Sequence, residues 1–197
     1  MALDGAPSPY GLRFDAGRVC LDLLATAHPV ERLDGTAPLC AWITGAGIVP
    51  AGTALDHADA SWPAGFRELR GHIGTLVREP QAGGTASYGR ALRRVNEAAA
   101  TAVPVLRAVP GKEGGLLREL TAPPGRAALL AVVARDAVEL LTDPVARAAV
   151  RECEGDHCPL VYLDTSRGRR RRWCSSQVCG NRERVARHRR RSAPARS

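Results

Sequence analysis

A mainly α fold, with a helical body ahead of a small cysteine-bearing module, is what this sequence predicts, and three observations predict it. Of the 197 residues, 45% are hydrophobic but only 4% are aromatic. A core resting on Ala, Val and Leu favours closely packed helices over a sandwich, and the length suffices for one domain plus a small module. Apolar residues recur at helical spacing through the first 150 residues, between Gly- and Pro-rich loops. The composition then changes abruptly near Arg151. Residues 1–150 carry 15 basic and 15 acidic residues, whereas residues 151–197 carry 13 basic and 5 acidic, so the whole net charge of +8 sits in the last quarter. The expected division is a helical domain at 1–150, a module at 151–191 and a disordered tail at 192–197.

Each element has its own signal. RVCLDLLATA (18–27) places Val19, Leu23, Thr26 and Ala27 on one side of a first helix. PLCAWITGAGI (38–48) opens a second at Pro38 and keeps Leu39, Trp42, Ile43 and Ala46 on one face. FRELRGHIGTLVRE (66–79) aligns Phe66, Leu69, Ile73, Leu76 and Val77 and stops before Pro80. YGRALRRVNEAAA (88–100) follows the glycine pair at 83–84. AVPVLRAV (102–109) and GLLRELT (115–121) flank a turn-rich stretch at 110–114, which predicts one β-hairpin. PPGRAALLAVVARDAVELLTD (123–143) is the strongest helix, with a broad stripe of Leu129, Val132, Val133, Ala137, Leu140 and Leu141. Pro144 opens a short helix leading towards Cys153.

Six cysteines divide into two kinds. Cys20 and Cys40 stand alone inside helical patterns and read as small buried hydrophobes. The other four form Cys153-x4-Cys158, fifteen residues, then Cys174-x4-Cys179. Two short-spaced pairs at that separation are the signature of a structural zinc site. Each pair closes a knuckle, the intervening residues form a hairpin, and one zinc ion per chain takes four thiolates with no open position for water. His157, beside Cys158, is then a neighbour rather than a ligand. The longest apolar run, AALLAVVA (127–134), has eight residues, far short of a bilayer span, and the N-terminus lacks a basic leader. A soluble cytoplasmic protein with no membrane partner is expected, which argues for thiols or metal rather than disulfides.

The stretch CEGDHCPLVYLDTSRGRRRRWCSSQVCGNRERVARHRRR (153–191) resembles the CGNR zinc finger, named for the tetrapeptide found here as Cys179, Gly180, Asn181 and Arg182. The likeness extends to Tyr162 and Asp164 before a Ser-Arg turn, to Arg171, Arg172, Trp173, Cys174 and Ser175, and to a basic helix. Upstream, GRVCLDLLAT and LCAWITGAGI resemble the ABATE domain, a stress-induced transcription regulator module that usually precedes this finger, with Ala25 standing where the family pattern commonly carries Asn. The resemblance implies a zinc-dependent, DNA-binding regulator.

A treble-clef-like finger would start its helix at the last ligand, so residues 179–191 are expected to be helical, with Asn181 as N-cap and Glu183 at the positive end of the dipole. Arg184, Arg187, His188 and Arg191 then share a face, with Arg170, Arg171 and Arg172 within reach on the arm before Trp173. Arg182, at the start of the helix, is the candidate to read a base edge. Trp173 reads as a plug over the knuckles, and Asp164 as a partner of one arginine that fixes the turn. Double-stranded DNA is the expected partner. The alternative is an RNA-binding or protein-interaction module, and the scarcity of aromatics weighs against single-stranded RNA. Asp22, His28, His57, Asp59 and His72 are tied together by no motif, so no catalytic residues are expected. The body is left to supply homodimerisation or the sensing of a small-molecule effector.

Overall fold

The computed structural model describes residues 9–79, 85–112 and 114–192. The glycine pair at 83–84 and residues 193–197 of the expected tail lie outside the described residues. Among those described, seven helices and two antiparallel hairpins form. No helix among them is long and apolar enough to cross a membrane.

Helix α1 (Val19–Ala25) is the central element, buried from Cys20 to its end. Its first turn is capped from outside: Asp136 accepts the Cys20 N–H at 2.8 Å and pairs with Arg18 at 2.9 Å. Helix α2 (Thr36–Gly45) begins two residues ahead of Pro38, which therefore sits in the first turn, where a backbone N–H has no helical partner to lose. Leu39, Trp42 and Ile43 face the core as expected. Helix α3 (Ser61–Arg78) begins five residues before its apolar stripe. Asp59 accepts the Ser61 N–H at 2.8 Å and its hydroxyl at 2.5 Å, and Pro63 again falls in a first turn. Helix α4 (Ala86–Ala99) is capped by Thr85, whose hydroxyl accepts the Tyr88 N–H at 3.1 Å.

The expected hairpin forms as β1 (Leu106–Pro110) and β2 (Leu116–Leu120), in register Leu106 with Leu120 and Pro110 with Leu116. Helix α5 (Arg126–Thr142) follows. Asp143 then caps α6 (Pro144–Arg147) by accepting the N–H groups of Val145 and Ala146. Helices α3, α4 and α5 pack on one another, α1 lies against α3 and α5, and α2 packs on α3. The Trp42 and Phe66 rings meet edge-on, 5.9 Å apart, inside this body.

Strands β3 (Val150–Glu152) and β4 (Val161–Leu163) pair antiparallel, and β4 packs on α1. Helix α7 (Cys179–Ser192) closes the described chain. The change of composition near Arg151 is not a break in the core, because Leu160, Val161 and Tyr162 join the same buried cluster as Leu21, Phe66 and Leu140. A strap ahead of α1 makes the join. The Leu163 N–H donates to the Ala16 carbonyl at 2.8 Å, and Gly17, at φ +87°, lets the strap pass so close that an added Cβ would sit 3.2 Å from the Leu163 Cβ.

Candidate metal centre and nucleic-acid interface

The first knuckle is tied by the Cys153 N–H to the Leu160 carbonyl (2.9 Å) and by the Cys158 N–H to the Gly155 carbonyl (3.0 Å). Strands β3 and β4 therefore bracket residues 153–158. This differs from the expected hairpin across the whole fifteen-residue spacer. The spacer supplies only the second strand, because the knuckle is itself the tight turn. The spacer then runs as an arm that returns to the knuckle, where the Arg172 carbonyl accepts the Glu154 N–H at 2.9 Å.

The four sulfur atoms of Cys153, Cys158, Cys174 and Cys179 lie within 4.8 Å of one another. Cys174 Sγ is 3.7 Å from Cys158 Sγ and 3.6 Å from Cys179 Sγ. A zinc tetrahedron with Zn–S bonds of about 2.3 Å has edges of about 3.8 Å, so the spacing and the all-thiol donor set suit one zinc ion in a structural site. A side chain at position 155 would invade this space: a Cβ on Gly155 would sit 3.3 Å from both Cys153 Sγ and Cys179 Sγ. The backbone N–H groups of Gly155 (3.4 Å) and Cys174 (3.3 Å) point at Cys153 Sγ. Desolvation opposes thiolate formation here, but those N–H donors outweigh it and hold the Cys153 thiol below its ordinary value. Burial instead pushes Cys174 up and takes Cys179 to about 11. A bound cation reverses that preference, because the thiolate is the ligand. His157 turns away at φ +55°, with its side chain 93% exposed. Of the two lone cysteines, Cys20 is buried and Cys40 half-buried.

The arm separates three arginines that look alike in the sequence. Asp164 accepts the backbone N–H groups of Ser166 (2.9 Å) and Arg171 (3.1 Å), so it fixes the turn through main chain rather than through a guanidinium. The Ser166 side chain, ahead of these backbone N–H groups, is the main reason its carboxyl lies below the ordinary range. Arg171 is turned inward. Its guanidinium stacks 4.4 Å over the Tyr162 ring and donates to the carbonyls of Trp173 (2.9 Å), Asp15 (3.1 Å) and Cys174. The Tyr162 hydroxyl returns the contact by donating to the Arg171 carbonyl at 2.5 Å. Arg172 pairs with Glu154 at 2.6 Å and lies 5.3 Å over Trp173, while Arg170 is exposed. Trp173 is half-buried against the core, with its ring beside Gly180.

Helix α7 starts at Cys179, as expected, which places Asn181 inside the first turn and not at the cap. The first N–H groups go instead to the carbonyls of Ser175 (from Gly180, 2.9 Å) and Val178 (from Arg182, 3.0 Å). Arg182, Arg184, Arg187 and His188 are all exposed, as are Arg189 and Arg190, which the face-by-face sequence reading left out. Arg191 belongs to the helix, but its side chain lies outside the described residues. Arg184 donates to the Ser176 carbonyl at 3.3 Å. The scattered polar groups of the body do not converge. His57 contacts the Pro124 carbonyl, Asp59 caps α3, His72 lies 3.7 Å from Glu68, and Asp22 accepts the Ala16 N–H.

Comparison with known families matches residues 17–144 to ABATE, described as "Putative stress-induced transcription regulator", and residues 149–192 to the CGNR zinc finger. No curated protein matches the chain. Both families describe regulatory or zinc-finger modules, not enzymes.

Proposed function

Because the chain belongs to the ABATE family and ends in a CGNR zinc finger, we propose that it is a cytoplasmic transcriptional regulator that grips double-stranded DNA with α7. In this reading Cys153, Cys158, Cys174 and Cys179 hold one structural zinc, and the body supplies dimerisation or sensing. When bound, zinc crosslinks the two knuckles and leaves no position for a reactive water. The chain's own residues do the rest: Gly155 keeps the centre open to four sulfurs, and Trp173 braces the first turn of α7.

The observation that carries the reading is the state of α7. Its 14 residues span about 21 Å. Arg182, Arg187, Arg189 and Arg190 are exposed, with no carboxylate partner among the described residues. A helix that is polar all round has no face to bury and must be held by other means. Cys179 anchors one end, and a row of phosphates is the partner that arginines of this density suit.

Titrating duplex binding against salt tests the proposal. With about five phosphate contacts, log K falls against log salt with a slope near −4 to −5, and Arg187→Ala makes the slope shallower by about one. Arg182→Ala is expected to act differently, relaxing specificity at one base pair by roughly 1–3 kcal/mol. Loss of neither affinity nor slope in these variants, with zinc content intact, would transfer the finger to the RNA-binding or protein-interaction alternative.

A further inference from the structure

We propose that Arg13, in the strap ahead of α1, is an outer-shell residue of the metal centre, a positioning residue contributed by the helical body to a site whose ligands all come from the finger. The inference rests on the reading of the four cysteines as ligands. Both terminal nitrogens of Arg13 lie 3.5 Å from Cys174 Sγ. That sulfur is close to two of the others, so a charge placed on it acts on the whole cluster. Asp15 fixes the guanidinium from behind, taking Nε at 3.1 Å and Nη2 at 2.7 Å. The Arg13 side chain is 21% exposed, so water screens the contact only in part.

A divalent ion among four thiolates leaves a net double negative charge. Backbone N–H groups serve Cys153 Sγ, and Arg13 is the cation directed at Cys174 Sγ. The same strap is tied at Asp15 and Ala16 to α1 on one side and to the finger on the other. Asp22 on α1 takes the Ala16 N–H at 2.9 Å, the Ala16 carbonyl takes the Leu163 N–H at 2.8 Å, and the Asp15 carbonyl takes Arg171 at 3.1 Å. Retention of the metal and seating of the finger on the body are therefore coupled, and the coupling is reciprocal.

The experiment uses the full chain, with zinc retention measured by competition against a chromophoric chelator. A cobalt-substituted sample reports the thiolate-to-metal charge-transfer band. Removing an outer-shell partner typically weakens metal binding about 10–100-fold. Arg13→Ala is expected to fall in that range and to shift the band, with Arg13→Lys recovering most of the affinity and Arg13→Gln recovering little. Arg18→Ala, which breaks the nearby pairs with Asp136 and Glu139 without touching sulfur, is expected to leave the band in place. Should Arg13→Ala fail to fold, the Lys and Gln variants carry the comparison. Parent-like affinity and band in Arg13→Gln overturn the inference, as does equal metal loss in the Arg13 and Arg18 variants with unshifted bands. A parent protein with no thiolate band at all overturns the ligand reading beneath it.

Discussion

Asp22 shows how far a residue's meaning depends on its surroundings. In the sequence it interrupts an apolar run; in the fold it is a carboxyl only 7% exposed, accepting the Ala16 N–H at 2.9 Å. Burial pushes its pKa up to about 7, against the backbone hydrogen bond, with Asp15 and Asp136 adding to the rise. The folded state thus holds this proton more tightly than the unfolded chain, where the group titrates near its ordinary value of about 3.9. Its contribution to stability is fully present below the unfolded value and is lost as the pH rises through about 7. Asp22→Asn keeps an acceptor oxygen and removes the charge. The variant should gain on the parent as the pH rises from 5 to 8, reaching on the order of 2 kcal/mol. Urea midpoints of both proteins across that range check this, and parallel profiles would contradict it. Arg171 makes the same point from the opposite direction. It lies between two arginines of identical type, yet it alone is stacked on Tyr162 and bonded to three carbonyls.

The strap crosses β4 at close range. Gly17 has φ +87°, and an added Cβ would lie 3.2 Å from the Leu163 Cβ and 3.4 Å from its carbonyl oxygen. Left-handed backbone and close approach act together here, so neither Ala nor a larger residue fits without moving the strap. Gly17→Ala is expected to cost about 1–3 kcal/mol of stability. A urea midpoint equal to the parent's would show that the strap yields freely. Helix boundaries obey a similar logic of neighbours. The stripe that begins at Phe66 marks the buried face of α3, but Asp59 and the first-turn Pro63 set where the helix starts. Caps and stripes are separate signals, and a stripe alone misplaces an end by a turn or more.

For the molecule as a whole, one core serves two modules of different chemistry. The packing of α3, α4 and α5 needs no metal, whereas the four-sulfur cluster sits where Cys179 opens α7 against the knuckles. Chelation is therefore expected to leave most of the far-UV helix signal while exposing residues beyond 150 to protease. Structural zinc contributes on the order of 10 kcal/mol in isolated finger peptides, so a detached segment 151–191 should be ordered only with metal. It should also hold zinc less tightly than the full chain, since Leu160, Val161 and Tyr162 lose the body they pack on. Collapse of the whole helix signal on chelation would show that the body has no independent core.

The periodic helices, the hairpin and the four cysteines could be read from the sequence because each is written in residues close together along the chain. Helical stripes repeat every turn, the hairpin flanks its own turn, and each knuckle carries its two thiols five positions apart. The inward turn of Arg171, the placing of Arg13 beside Cys174 Sγ and the buried carboxyl of Asp22 could not be read this way. Arg13 and Cys174 are separated by 161 positions, and nothing local distinguishes an arginine that will meet sulfur from one that will meet water. Such contacts arise when β4 docks on α1 and carries the strap against the cluster, and burial then assigns each polar group a partner.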